Sequence, residues 1–187
     1  MSPTLASGFF FLIQTNIIKL MPPIKLLTKL GLLEGNKTVL DIGTKDGRVS
    51  IPFAELGLNV HAIDVRVPDK TLLDISFEQT SVEDFLERNT KHYDIVTARH
   101  ILPFTDNPLE LIEKINNIAG VFMFSCFGPE DDWKDRDDIV FLNKEEIRSL
   151  FKQNQIRHYS ETFEYGSTYT GVMKFWHIHT FVVDNRI

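Results

Sequence analysis

Two carboxylates flanking a glycine turn are the side chains in this sequence best suited to hold a ligand. Asp41 precedes the turn Gly43-Thr44-Lys45-Asp46-Gly47, and Asp64 closes the run Asn59-Val-His-Ala-Ile-Asp64. Glycines there let backbone amides and the start of the following helix approach a ligand closely. The dinucleotide fingerprint needs glycine at the first, third and sixth positions of such a turn, and Gly43, Lys45 and Arg48 stand there, so two of three fail. A carboxylate at Asp41 repels a pyrophosphate and suits a ligand bearing an ammonium group, or else caps the amides opening the helix. Asp64, at a strand tip, can accept hydrogen bonds from both hydroxyls of a ribose, each worth about 1.5–3 kcal/mol.

Other chemistry-bearing residues carry weaker signals. His100 follows a strand and is the candidate general base. His177 and His179 alternate on one strand face, a spacing that can bind metal, but no third ligand lies at a readable distance, so a structural role is expected and no metal. Phe127 and Trp133 either wall a substrate pocket or pack a loop. Cys126, the single cysteine, sits in an apolar strand and reads as inert core. Asp131, Asp132, Asp135, Asp137 and Asp138 read as a solvated acidic loop, with a cationic substrate as the sharper alternative.

The elements that must position these residues alternate. Pro22-Pro23 end a first helical stretch, because proline lacks the N–H and pushes its predecessor out of the helical region. Ile24, Leu27 and Leu30 then have helical spacing. Residues 37–42 form an apolar run suited to a strand covered on both faces. A helix over 48–56, a strand over 59–65 and a weaker strand over 74–79 follow. Ser81 with Asp84 opens a helix, 93–98 is a strand, and Asn107-Pro108-Leu-Glu110 starts another helix. Residues 120–126 are a strand, Asn143 opens a helix, and 156–163 with 172–183 form an antiparallel hairpin, the loop 164–171 being too short for a crossover helix. This pattern predicts an α/β fold, a Rossmann-like, mostly parallel sheet with helices on both faces and an antiparallel C-terminal strand pair. Its ligand belongs beyond the carboxyl ends of the strands.

Here the chain resembles the class I S-adenosylmethionine-dependent methyltransferases. Asp41-Ile-Gly43-Thr-Lys45-Asp-Gly47 matches three of four positions of their Asp-x-Gly-x-Gly-x-Gly motif, and Asp64 matches the acid ending their second strand. Residues 93–104 resemble their fourth strand, and 120–133 their fifth strand and its loop. The tail 171–181 is similar to that of small tellurite-resistance-type methyltransferases. The resemblance implies a seven-stranded sheet and S-adenosyl-L-methionine as cofactor. It places Asp41 near the methionine ammonium, Gly43, Thr44, Lys45, Asp46 and Gly47 against the methionine moiety, and Asp64 with Val65 at the ribose. Ser81 and Val82 would face the adenine, Val82 offering its amide, and Ala98 and Arg99 would line the methionine end near the substrate. Lys45 replaces a glycine, costing about 1–2 kcal/mol if the position needs positive φ, and Ser81 replaces an acid. These departures support a second reading, a non-catalytic cofactor-binding module acting through a protein partner.

Composition agrees with one soluble domain spanning 1–187, a helical cap over 1–36 and an α/β core over 37–187. At 187 residues such a chain buries about two-thirds of its unfolded surface. The net charge of -6 argues against a broad nucleic-acid face, and one cysteine fits a reducing, cytoplasmic setting. The apolar residues 9–21 are too short and too interrupted to span a bilayer and read as an amphipathic helix. The expected reaction is methyl transfer to a small-molecule acceptor by direct displacement, with no nucleic acid or membrane involved.

Overall fold

The computed structural model describes residues 22–68, 72, 74–168 and 170–187. The apolar N-terminal stretch and most of the expected cap lie outside these residues. Elements run α1 (Pro22–Lys29), β1 (Thr38–Ile42), α2 (Ser50–Glu55), β2 (Asn59–Asp64), β3 (Ser76–Gln79), α3 (Val82–Arg88) and β4 (Tyr93–Arg99). There follow α4 (Pro108–Asn116), β5 (Ala119–Phe127), α5 (Lys144–Ser149), β6 (Ile156–Ser167) and β7 (Met173–Asp184). The seven strands form one sheet ordered β3-β2-β1-β4-β5-β7-β6. Pairing is parallel from β3 through β5 and antiparallel in β5–β7 and β7–β6, so the expected mixed sheet is the one observed.

Strand parity divides the core into two layers. Val39, Val60, Ile95, Val121 and Val182 pack with Ile24 and Leu27 of α1 and Phe53 of α2. Leu40, Ile42, Val96, Phe122, Phe124 and Phe181 face the opposite way, against Phe85 of α3, Ile112 of α4 and Ile147 of α5. Phe124 and Phe181 are register partners whose rings stack at 5.4 Å, a contact worth about 0.5–1.5 kcal/mol beyond burial, which helps fix the antiparallel join.

Sequence punctuation explains most element ends. Ser81 accepts the Asp84 amide at 3.1 Å to open α3, and Asn107 accepts that of Glu110 at 3.4 Å to open α4. Pro22 and Pro23 open α1, where the missing N–H costs nothing. The hairpin runs four residues further than expected on β6, through Ser167. Glu164, Gly166 and Ser167 read as loop from composition, but Tyr165 pairs with Phe175 across the ladder with ring centroids 5.2 Å apart. This outer hairpin has β6 and β7 as its only strands and leaves Phe163, Tyr165 and Met173 exposed.

Candidate functional site

The turn after β1 is pinned to β2, whose Ile63 carbonyl accepts the Gly43 amide at 2.9 Å and that of Thr44 at 3.2 Å. Gly43, Lys45 and Gly47 adopt φ of 74°, 53° and 77°. A Cβ on Gly47 would lie 2.6 Å from Leu72 Cδ2, and one on Gly43 would lie 3.0 Å from Ile101 Cβ. Both glycines are therefore demanded by φ and by space. Lys45 bears the left-handed cost of a non-glycine residue, about 1–2 kcal/mol, and its amide is fixed by donating to Asp64 Oδ2 at 2.8 Å. The other Asp64 oxygen accepts the Arg66 amide at 2.9 Å. Asp46 is held by Arg48 at 2.8 Å.

Asp41 does not stand where the resemblance puts it. Its carboxylate is buried beneath the turn, accepting the Ser50 hydroxyl at 2.5 Å and the Thr97 hydroxyl at 2.7 Å. Because Ser50 spends its proton on Asp41, Thr44 Oγ1 donates to Ser50 Oγ, 2.7 Å away. Burial raises the Asp41 pKa, with the hydroxyl donors opposing that rise. Asp41 and Thr44 thus brace β1, β4 and the start of α2 from below. The carboxylate caps hydroxyls and no helix amide among the described residues. Ser50 and Thr97 went unnoticed in the sequence, where only their small polar character could have marked them.

Two other expected residues also turn inward. Ala98 is fully buried in the layer against α3 and α4, so its side chain lines no ligand space. The Ser81 hydroxyl is engaged as the cap of α3. The Val82 side chain is core, while its amide, at the first helical position, makes no hydrogen bond among the described residues. Val65 is exposed beside Asp64.

At the ends of β4 and β5 an aromatic wall forms. His100, at φ 56°, stacks on Trp176 with centroids 6.2 Å apart and leans on Phe127 at 5.6 Å. Phe104 and Trp133 complete the group, each in edge contact with Phe127. The Lys174 ammonium sits 3.9 Å from the Trp133 ring centre and 3.8 Å from that of Trp176, and pairs with Asp131. Desolvation, with the Arg99 and Lys174 charges beside it, lowers the His100 pKa to about 3. A base that weak is far from the working pH at which general-base catalysis is effective, which argues for His100 as wall.

The acidic loop is not uniformly solvated. Asp131 is fully buried, accepting the Trp133 amide at 3.0 Å and the His177 amide at 3.1 Å in addition to Lys174. Lys174 and Trp176 were missed as site residues. Alternation along β7 puts both on the face of Val182, and a lysine on a buried strand face was the available signal.

Glu161, His177 and His179 bring possible ligand atoms within 4.8 Å of one another. The Glu130 amide donates to His177 Nδ1 at 3.1 Å, so the ring proton is assigned to Nε2, which donates to Glu161 at 3.0 Å. His177 is thus engaged at both ring nitrogens, and a metal there would have to displace its Nε2 proton. His177 ties β6 to the loop after β5, and His179 meets Tyr159 of β6 at 3.1 Å. Cys126 is fully buried and its thiol pKa is pushed up by that burial, as inert core requires.

A family model described as a methyltransferase domain matches residues 17–181. The chain belongs to the methyltransferase domain family. Among curated proteins, it is 30% identical over 105 residues to a ubiquinone biosynthesis O-methyltransferase of Actinobacillus pleuropneumoniae, a match covering 48% of this chain and 45% of that one. It is 33% identical over 95 residues to the protein of the same description from Glaesserella parasuis, covering 44% and 40%. The matches thus span less than half the length of these relatives. Among solved structures, TehB from Haemophilus influenzae superposes with a TM-score of 0.67 at 15% identity, covering 84% of this chain and 60% of that one. Magnesium protoporphyrin IX methyltransferase from Synechocystis, solved with bound S-adenosylmethionine, gives 0.55 at 20% identity, covering 86% and 76%. These likenesses establish the fold of the domain, a family whose cofactor is S-adenosylmethionine.

Proposed function

We propose that this chain, as one methyltransferase domain, holds S-adenosyl-L-methionine on its glycine turn and Asp64 and transfers the methyl group to an oxygen nucleophile of a small molecule. The observation carrying this reading is Asp64. Each of its oxygens accepts one backbone amide, and a carboxylate offers about four lone-pair sites, so capacity remains for both hydroxyls of a ribose. Gly43 and Gly47 allow the backbone to approach the ligand, and the Val82 amide is available to a ring nitrogen of adenine.

When bound, the cofactor supplies an electrophilic methyl on a sulfonium. What remains for the protein is to hold the acceptor in line and exclude water, which contributes roughly 7–11 kcal/mol to such reactions. The wall of His100, Phe127, Trp133 and Trp176 at the ends of β4 and β5 suits that task. The curated relatives, described as O-methyltransferases, favour oxygen as the nucleophile. Among the described residues no helix is long and apolar enough to cross a membrane, and the single buried thiol accords with work in the cytoplasm.

The test is calorimetric titration with S-adenosylmethionine and S-adenosylhomocysteine, paired with radiolabelled methyl transfer to a phenol panel. Micromolar binding, weakened about 10- to 100-fold in Asp64→Ala, and turnover of one or more phenols are expected. No binding at millimolar cofactor refutes the reading. Binding without turnover across a broad panel replaces it with the non-catalytic module.

A further inference from the structure

We propose that the methyl acceptor carries a carboxylate and that Arg99 receives it on the sheet face beneath α1. The inference rests on the transferase reading and adds which acceptors qualify. A cavity of about 370 Å³ lies between the start of α1, at Pro22, Pro23 and Leu26, and the strands β4, β5, β7 and β6. Its floor is a single register row, in which Arg99 pairs with Ser125, Ser125 with Thr180, and Thr180 with Ser160. By strand parity these side chains occupy the face on which Ile95, Met123 and Val182 pack. Along the same strands that face is apolar at Ile95, Val121, Met123 and Val182, with Thr97 engaged by Asp41 and Asp184 engaged by Arg157 and Arg186. At the end where the turn and Asp64 lie, hydroxyls and a guanidinium take the place of those aliphatic side chains.

Most of these polar groups lack a side-chain partner among the described residues. Among the described residues the side chains of Arg99, Thr180, Ser160 and Thr162 make no hydrogen bond or ion pair. The Ser125 hydroxyl receives the His100 amide at 3.3 Å and keeps its own proton to donate. The charge Arg99 feels most favourably is Asp41, which is buried beneath the turn and makes no hydrogen bond or ion pair with Arg99. Arg99 is half-buried at the cavity and its side chain makes no hydrogen bond among the described residues, so its guanidinium is open to a ligand there. Its planar fork matches the two coplanar oxygens of a carboxylate, and the adjoining row of hydroxyls supplies further donors. Nearby groups do not duplicate this role. Lys174 is held by Asp131, His100 is neutral, and Glu164, also at the cavity, repels an anion from the hairpin end. With one available cation in the row, a monoanion fits better than a phosphate dianion.

The experiment titrates the full chain, saturated with S-adenosylhomocysteine, with 3,4-dihydroxybenzoate and with its neutral analogue 3,4-dihydroxybenzamide. The acid is expected to bind at least tenfold more tightly than the amide. Arg99→Met abolishes that preference and leaves affinity for S-adenosylhomocysteine within twofold of wild type, and Thr180→Val reduces the preference severalfold. Equal affinity for acid and amide in the wild type, or binding of neither up to 10 mM, overturns the proposal. So does an Arg99→Met protein that keeps the acid preference and loses S-adenosylhomocysteine affinity, because Arg99 would then serve the cofactor. If Arg99→Met does not fold, the wild-type comparison and Thr180→Val decide. Failure of the wild type to bind S-adenosylhomocysteine at all refutes the transferase reading itself, a result separate from the acid-amide comparison.

Discussion

Replacing Asp41 separates a buried brace from a ligand contact. In Asp41→Ala the hydroxyls of Ser50 and Thr97, both fully buried, lose their acceptor. Ser50 can turn its proton to Thr44 Oγ1, 2.7 Å away, but Thr97 is left unpaired, so the expected loss is about 1–3 kcal/mol, a sizeable share of the roughly 5–15 kcal/mol typical of a domain. Asp41→Asn behaves differently. Its amide can donate to Ser50, which then turns its own proton toward Thr44, while the amide oxygen still accepts from Thr97. The pH dependence follows from burial, which raises the Asp41 pKa above its ordinary 3.8. The folded state holds that proton more tightly than the unfolded chain, so the contribution of Asp41 is most favourable below 3.8 and is lost as pH rises through the folded value. Asn carries no such loss, and its stability at pH 7 is expected within about 1 kcal/mol of wild type. Urea unfolding of the three proteins at pH 4 and pH 7, with S-adenosylhomocysteine titrations beside it, tests this. Wild-type stability in Asp41→Ala together with tenfold weaker cofactor binding would refute it and put the carboxylate in the ligand space.

Gly47→Ala adds left-handed strain to a contact with Leu72, and should lose about 2–5 kcal/mol in chemical denaturation. Lys174→Met leaves Asp131 buried and unpaired and should cost about 3–5 kcal/mol, whereas Lys174→Met with Asp131→Asn should recover most of it in the same assay. Asp184 accepts from Arg186 at 2.8 Å, which holds its pKa below the ordinary value. Its contribution is present above 3.8 and lost as pH falls through the folded value, so Asp184→Asn should flatten the acid limb of a stability-pH profile.

The half of the site built from one contiguous stretch was legible in the sequence. Strand, glycine turn, helix and Asp64 are local signals, and the mostly parallel sheet with its antiparallel closing pair follows from their alternation and the short last loop, whereas the strand order does not. What failed was depth. Nothing in Asp-Ile-Gly reveals that Asp41 points under the turn, because the hydroxyls that claim it come from Ser50 and from Thr97 on another strand. The acceptor half was illegible for a related reason. Arg99, Ser125, Thr180 and Ser160 belong to four strands and meet only through interstrand register, which composition and spacing do not encode. Asp131 was hidden among five acids, and its burial depends on a lysine 43 positions away.

The antiparallel course of β7 has a consequence for how new specificities can arise. Because β7 enters the sheet from the rim where β5 leaves it, Lys174 and Trp176 meet Phe127 and Trp133 there without any added domain. On the proposed function the methyl donor would lie over β1 and β2 and the acceptor over β5, β7 and β6, with β4 between them in the sheet. Residues 156–184 carry Ser160, Lys174, Trp176 and Thr180 of that proposed side on one contiguous hairpin. Grafting that hairpin between members of the fold should change what is methylated while leaving the grip on the methyl donor intact.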